Sequence, residues 1–116
     1  MSLGMRLVFL DTQSAPAGLD FAPLKQLGEL ITYESTKPLE SFHRVEGCDV
    51  VITVGVPISR PLLDWAPRVR QIVVLSPSPD LVDMQAAGDL GVKVSVLGSD
   101  PNLAERAAAA IRGAGE

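Results

Sequence analysis

The residues best suited to bind a ligand lie in the short segment Val54-Gly55-Val56-Pro57, which directly follows an apolar run. A glycine lets the backbone approach a ligand closely. The successive N–H groups of Gly55 and Val56 could point at one carboxylate and form a small anion-binding nest. The alternative is a plain turn that leads into a helix beginning near Ser59. The nest requires N–H groups that face an accessible hollow. Internal hydrogen bonds on both groups, with no accessible hollow before them, would remove its basis.

Four other side chains have the chemistry of acids, bases or nucleophiles. Asp11 ends an apolar run and could bind a ligand, whereas Asp80 could act as an acid or base but also suits the cap of a helix. His43 is the only imidazole, and its place beside Arg44 in a predicted helix indicates a solvent-facing side chain. Cys48 is predicted to be a small structural residue. We therefore assign no catalytic residue from these side chains.

Cofactor and metal sites leave recognisable patterns that this sequence lacks. One cysteine and one histidine are too few for a metal framework. No Gly-x-Gly-x-x-Gly motif and no P-loop follows any apolar run, so the 116 residues offer no cradle for a dinucleotide or triphosphate.

Five apolar runs, interleaved with helical patterns, must position these residues. The run DVVIT does not alternate with polar residues, which indicates a strand buried on both faces, as in a parallel sheet covered by helices. Right-handed crossovers then give an α/β fold, a three-layer α/β/α sandwich with a five-stranded parallel sheet. Ligands bind such sheets beyond the carboxyl ends of the strands. The predicted strands are 6–10, 30–33, 49–53, 71–75 and 92–96.

The helix boundaries follow from capping residues and glycines. Asp20 is expected to cap the first helix and Gly28 to end it, and Ser59 is expected to cap the third. The fourth helix is predicted to begin at Asp80, with Asp83 as the acidic partner of a capping box and Gly91 at its end. The last helix is predicted over 101–112.

Composition limits the class of protein. A chain of 116 residues, 47% of them hydrophobic, suits one domain, which we place at 5–116 after a leader at 1–4. The net charge of -4 argues against nucleic-acid binding. No apolar run approaches the length of a membrane span, and a single cysteine excludes an internal disulfide, so a cytoplasmic protein is expected.

The order of several segments resembles the substrate-binding domain of the D-isomer-specific 2-hydroxyacid dehydrogenases, most of all the glycerate dehydrogenase and hydroxypyruvate or glyoxylate reductase branch. The resemblance implies a flavodoxin-like sheet and covers nearly the whole chain. The segments that carry it are 6–11 (RLVFLD), 18–21 (GLDF), 48–53 (CDVVIT), 56–60 (VPISR), 69–74 (VRQIVV), 80–83 (DLVD), 91–94 (GVKV) and 103–107 (LAERA).

The resemblance also implies site residues. The family binds the substrate carboxylate through backbone amides after the third strand, which here are those of Val54, Gly55 and Val56. A second loop, usually Thr-Gly-x-Asp-Asn, borders the active site and corresponds here to 77–81, with Ser78 in place of the glycine and Asp80 retained. The nicotinamide domain with its catalytic arginine, acid and histidine has no counterpart in the 116 residues. NAD or NADP is therefore expected only through a nucleotide domain that this chain does not contain.

Three functions stay open at this point. The chain could be an isolated or degenerate substrate-binding domain that binds a small 2-hydroxy or 2-keto acid without hydride transfer. It could be a non-catalytic interaction module that forms a homodimer through the 101–112 helix, using Ala104, Ala107, Ala108 and Ile111 if that face is exposed. It could also be one chain of a split dehydrogenase whose partner is a separate nucleotide-binding chain.

Overall fold

The computed structural model describes residues 5–15, 19–76, 81–97 and 103–114. Within these residues five strands alternate with five helices, and a short 3-10 helix, Thr12–Ser14, follows the first strand. The strands are β1 Met5–Phe9, β2 Gly28–Thr32, β3 Val50–Thr53, β4 Gln71–Val74 and β5 Lys93–Val96. The helices are α1 Ala22–Lys25, α2 Pro38–Val45, α3 Arg60–Trp65, α4 Met84–Asp89 and α5 Leu103–Ala114.

The strands form one parallel sheet in the order β2-β1-β3-β4-β5. This order is that of flavodoxin-like sheets, so the predicted fold class is confirmed. Every residue of β3 and β4 is buried, whereas the edge strands β2 and β5 are partly exposed. The continuous apolar run of β3 thus reflects burial on both faces.

Alternate side chains of each strand enter two separate cores on the two faces of the sheet. Val8 and Val51 join the core that α2, α3 and α4 cover, while Leu7 and Val50 join the core under α1 and α5. Helices therefore lie on both faces, which makes the predicted three layers.

The apolar side of α5 belongs to the second of these cores. Ala107, Ala108 and Ile111 are fully or almost fully buried against the sheet. The condition set for a homodimer surface on the 101–112 helix, an exposed apolar face, is not met at these three residues, because they pack inside their own domain. The Ala104 side chain lies outside the description.

Helix boundaries agree with the sequence in part. The Ser59 hydroxyl accepts a hydrogen bond from Leu62 N–H at the start of α3, and the Asp20 carboxylate accepts one from Ala22 N–H. Gly91 follows α4 with φ 72°, a left-handed conformation that glycine adopts without strain. The predictions for Ser59 and Gly91 are confirmed, whereas the N-cap of α1 is Phe21, one residue after Asp20.

Two boundary predictions were wrong. Gly28 does not end α1 but begins β2, where an added Cβ would stand only 2.1 Å from the Met5 carbonyl oxygen. Asp83 is itself the N-cap of α4, since its Oδ1 accepts a hydrogen bond of 2.9 Å from Ala86 N–H. The predicted cap Asp80, like the predicted leader at 1–4, lies outside the described residues.

Candidate functional site

The carboxyl ends of β1 and β3 meet at the point where the strand order of the sheet reverses. The chain passes from β1 to β2 on one side and later returns to place β3 on the other. In doubly wound sheets the crevice at this switch point is the usual ligand site. The residues that follow the two strands here are Asp11, after Leu10, and the pair Val54 and Gly55.

The side chain of Asp11 bridges from the end of β1 to the loop after β3. Its Oδ1 accepts a hydrogen bond from Val54 N–H at 2.9 Å, and its Oδ2 accepts one from Gly55 N–H at 2.7 Å. Asp11 is only 4% exposed. The two amides of the loop, which we call the amide pair, therefore hold one carboxylate, and that carboxylate belongs to the chain itself.

The next amide along the loop is used differently. Val56 N–H donates to the hydroxyl oxygen of Thr53 at 2.9 Å, and that hydroxyl donates to the Val56 carbonyl oxygen at 3.0 Å. One hydroxyl can donate and accept at once, so the buried Thr53 fixes the turn at its own strand end.

The predicted nest of Gly55 and Val56 is therefore corrected. Gly55 shares its carboxylate with Val54, and Val56 N–H is taken up by Thr53 within the loop. The prediction required free N–H groups, but all three amides donate hydrogen bonds inside the chain. Asp11 was considered as a ligand-binding residue because of its place at a strand end. In the structure its carboxylate is bound by the amides of Val54 and Gly55.

Burial and hydrogen bonding act on the Asp11 carboxyl in opposite directions. Burial raises its pKa, and the hydrogen bonds from Val54 and Gly55 lower it, with burial the larger effect. Desolvation disfavours a charged carboxylate, and donors that bind the charged form favour it. The hydrogen bonds from the amide pair thus offset part of the cost of burying this carboxyl.

The solvent side of the site lies at Gly55, whose backbone is exposed. A Cβ added at this glycine would stand 3.7 Å from Asp11 Oδ2, an ordinary contact. The glycine is therefore not needed to make room for Asp11.

The segment between β2 and α2 also contacts the end of β1. The Thr36 hydroxyl donates to the Leu10 carbonyl oxygen at 2.6 Å, and Arg44 donates to the Thr36 hydroxyl at 2.7 Å. The Arg44 guanidinium also lies over the Tyr33 ring, 4.1 Å from its centroid. These contacts connect the residue before Asp11 to α2 through the Thr36 hydroxyl.

Of the other residues singled out in the sequence, two lie outside the described part of the chain and two lie elsewhere in the fold. Ser78 and Asp80 lie outside the described residues. His43 is exposed on α2, as predicted. Cys48 is fully buried before β3, and burial, with the neighbouring Asp49 charge, raises the pKa of its thiol to about 12. The thiol therefore has the structural place expected of it.

In residues 5–15, 19–76, 81–97 and 103–114 no cluster of three or more His, Cys, Asp or Glu side chains is placed to hold a metal ion. None of the helices in that part combines the length and the apolar character needed to cross a membrane.

Comparison with known proteins gives the family. The family model described as D-isomer specific 2-hydroxyacid dehydrogenase, catalytic domain, matches residues 8–109. The chain belongs to this family. The resemblance seen in the sequence is thereby confirmed.

Individual relatives agree with this assignment. A hydroxypyruvate reductase of Blautia hydrogenotrophica is 32% identical over 95 residues, which cover 78% of this chain and 30% of that protein. A putative 2-hydroxyacid dehydrogenase of Haemophilus influenzae is 29% identical over 90 residues, covering 78% and 29%. The apo structure of D-lactate dehydrogenase from Escherichia coli superposes with a TM-score of 0.63 at 25% identity, covering 84% of this chain and 33% of that one. The chain thus spans about 30% of the length of the curated relatives it matches.

Proposed function

We propose that this chain is the substrate-binding domain of a D-2-hydroxyacid dehydrogenase-type oxidoreductase, and that its amide pair binds the carboxylate of a small 2-hydroxy or 2-keto acid. The observation that carries this proposal is the bidentate hold of Val54 N–H and Gly55 N–H on the Asp11 carboxylate, whose place the acid would take. The pair sits at the switch point, where ligands bind in sheets of this order.

The chemistry of the loop fits an acid. Main-chain N–H groups that meet an ionised oxygen form short hydrogen bonds that are about twice as strong as neutral ones. The Thr53 hydroxyl hydrogen-bonds to both the N–H and the carbonyl oxygen of Val56. These bonds fix the turn that carries the amide pair. A relative described as a hydroxypyruvate reductase indicates the substrate class, since hydroxypyruvate carries a carboxylate beside its ketone.

The proposed contribution of this chain ends at binding and orienting the acid. Hydride transfer in this class of reaction uses the nicotinamide cofactor, since NADH or NADPH would donate the hydride to a 2-keto acid and NAD+ or NADP+ would accept it from a 2-hydroxy acid. The 116 residues contain no Gly-x-Gly-x-x-Gly turn for its pyrophosphate. The proposal therefore assigns the cofactor to residues outside this sequence, in a nucleotide domain or a separate nucleotide-binding chain, and it places the protein in the cytoplasm.

The test is an NMR titration of the 15N-labelled chain with glyoxylate, hydroxypyruvate and D-glycerate. We expect the amide signals of Val54 and Gly55 to shift in a saturable way. Glycolaldehyde, which lacks a carboxylate, controls for the carbonyl and hydroxyl groups and should leave both signals in place. The Ala86 amide, which donates to a different aspartate, controls for a general effect of added anions. No saturable shift at Val54 or Gly55 with any of the three acids would overturn the proposal.

The interaction-module alternative has lost the surface on which it was based, because the apolar side of α5 is buried. Sedimentation of the chain at increasing concentration tests what is left of it. A concentration-dependent dimer that no acid affects would favour that alternative over the one proposed here.

A further inference from the structure

We propose that Asp11 is an intramolecular ligand of the amide pair, which occupies the position of the acid's carboxylate and so determines which acids the site accepts. This inference rests on the proposed function for the identity of the acid. It adds a selectivity residue, Asp11, that follows β1, whereas the loop that binds the acid follows β3.

Occupation by Asp11 and by a free acid exclude one another. Each oxygen of the Asp11 carboxylate takes the N–H of one loop residue, Val54 for Oδ1 and Gly55 for Oδ2. A free acid that binds in the same bidentate way needs the same two donors. A main-chain N–H supplies a single hydrogen, so the acid must displace Asp11.

The backbone around Asp11 is fixed, so its side chain is the part that can leave. Leu10 N–H donates to the Ile52 carbonyl oxygen at 3.0 Å, and Thr12 N–H donates to the Tyr33 carbonyl oxygen at 2.9 Å. Residues on both sides of Asp11 are thus bound to neighbouring strand ends. Exchange then needs a rotation of the aspartate side chain and leaves the sheet paired.

The exchange is nearly balanced in hydration. The incoming acid loses the hydration of its carboxylate on burial, while the displaced Asp11 carboxylate recovers in water the hydration that its own burial costs. The rise in the pKa of Asp11 has the same cause. Gly55, which carries one of the two donors, is an exposed residue.

Selectivity follows because the competing carboxylate of Asp11 is covalently part of the same chain. A carboxylate on the same chain competes at a high effective concentration, so a bare carboxylate such as acetate cannot compete with Asp11. An acid gains the site only if groups beside its carboxylate make further contacts. We therefore expect the wild-type chain to reject acetate.

The experiment removes the internal ligand and adds a free one. Asp11→Ala leaves both amides without their acceptor, and acetate is titrated into the 15N-labelled variant. We expect saturable shifts of the Val54 and Gly55 amide signals. The Kd for acetate should be lower than in the wild type by about tenfold or more, since the variant lacks the intramolecular competitor. Acetate should also raise the Tm of Asp11→Ala but not that of the wild type.

Asp83→Ala is the matched control, because it removes the same side chain from another main-chain N–H. It should respond to acetate like the wild type. If Asp11→Ala does not fold, Asp11→Asn takes its place. Its single carbonyl oxygen keeps one donor, so acetate should shift the Gly55 amide alone or the Val54 amide alone.

The outcomes separate this inference from the proposed function. Equal acetate binding by wild type and Asp11→Ala, or none by any Asp11 variant, overturns the role of Asp11. Wild type that binds glyoxylate as tightly as Asp11→Ala also overturns it, while the proposed function stands. Acetate binding by Asp11→Ala, with no preference of either chain for 2-oxo acids over acetate, supports the role of Asp11 and overturns the proposed substrate class.

Discussion

Two aspartates of this chain, Asp11 and Asp83, make the same kind of bond over very different separations in sequence. Asp83 accepts from Ala86 N–H, three residues on, and its side chain is at the surface. Asp11 accepts from Val54 and Gly55, 43 and 44 residues away, and is buried.

The difference shows what each bond depends on. The bond of Asp83 is part of starting α4 and needs only a local turn. The bonds of Asp11 exist only when β1 and β3 lie side by side, as they do with Phe9 opposite Ile52. The cap at Asp83 stabilises one helix, whereas the contact of Asp11 depends on the pairing of two strands at the switch point of the sheet.

The largest expected effect is on stability when each aspartate becomes alanine. Asp11→Ala should lower the free energy of unfolding by about 2 kcal/mol, because two N–H groups lose a charged acceptor. Asp83→Ala should lower it by about 1 kcal/mol, the usual cost of losing a helix cap. Urea unfolding of both variants and the wild type measures the difference. A smaller loss for Asp11→Ala than for Asp83→Ala would mean that relief of the buried charge offsets the lost bonds.

A smaller effect is expected from replacing each aspartate by asparagine, which has one acceptor oxygen instead of two. Asp83→Asn keeps its single bond to Ala86 N–H and should cost less than about 0.5 kcal/mol, since asparagine caps helices as well as aspartate does. Asp11→Asn must give up one of its two bonds and should cost about 1 kcal/mol. Equal costs in urea unfolding would show that one of the Asp11 bonds contributes nothing to stability.

The smallest effect is a dependence of stability on pH. Burial raises the pKa of Asp11, so the folded chain holds this proton more tightly than the unfolded chain, where the pKa is about 3.9. The contribution of Asp11 to stability is therefore fully present below that value, falls as pH rises through the raised pKa, and is constant above it. The difference in free energy of unfolding between wild type and Asp11→Asn should decline with rising pH across this window. A difference that grows with pH would mean that the amide bonds outweigh burial.

The sequence was enough to predict the architecture because its signals are local. The unbroken apolar run of 49–53 indicated a strand buried on both faces, and Ser59 and Gly91 marked helix ends. The predicted element boundaries were wrong where the role of a residue depends on a residue that is distant in the sequence. Gly28 carries the mark of a helix end, yet it is a glycine because the Met5 carbonyl of the next strand lies close to it.

The contacts of the candidate site could not be predicted from the sequence. The amides of Val54 and Gly55, in the loop after the third strand, hold a carboxylate, and that carboxylate belongs to Asp11. The missing information was strand register. Once Phe9 is paired with Ile52, Asp11 falls level with Val54, two residues further along each strand. No pattern within either segment alone contains that alignment.

The burial of Cys48 has a practical consequence for studying this loop. With a pKa of about 12 and no exposed surface, its sulfur stays protonated and shielded from alkylating reagents at neutral pH. A cysteine introduced at the exposed Gly55 position would then be the group that a maleimide fluorophore modifies. A single dye could thus be attached beside Asp11 without first removing the native thiol.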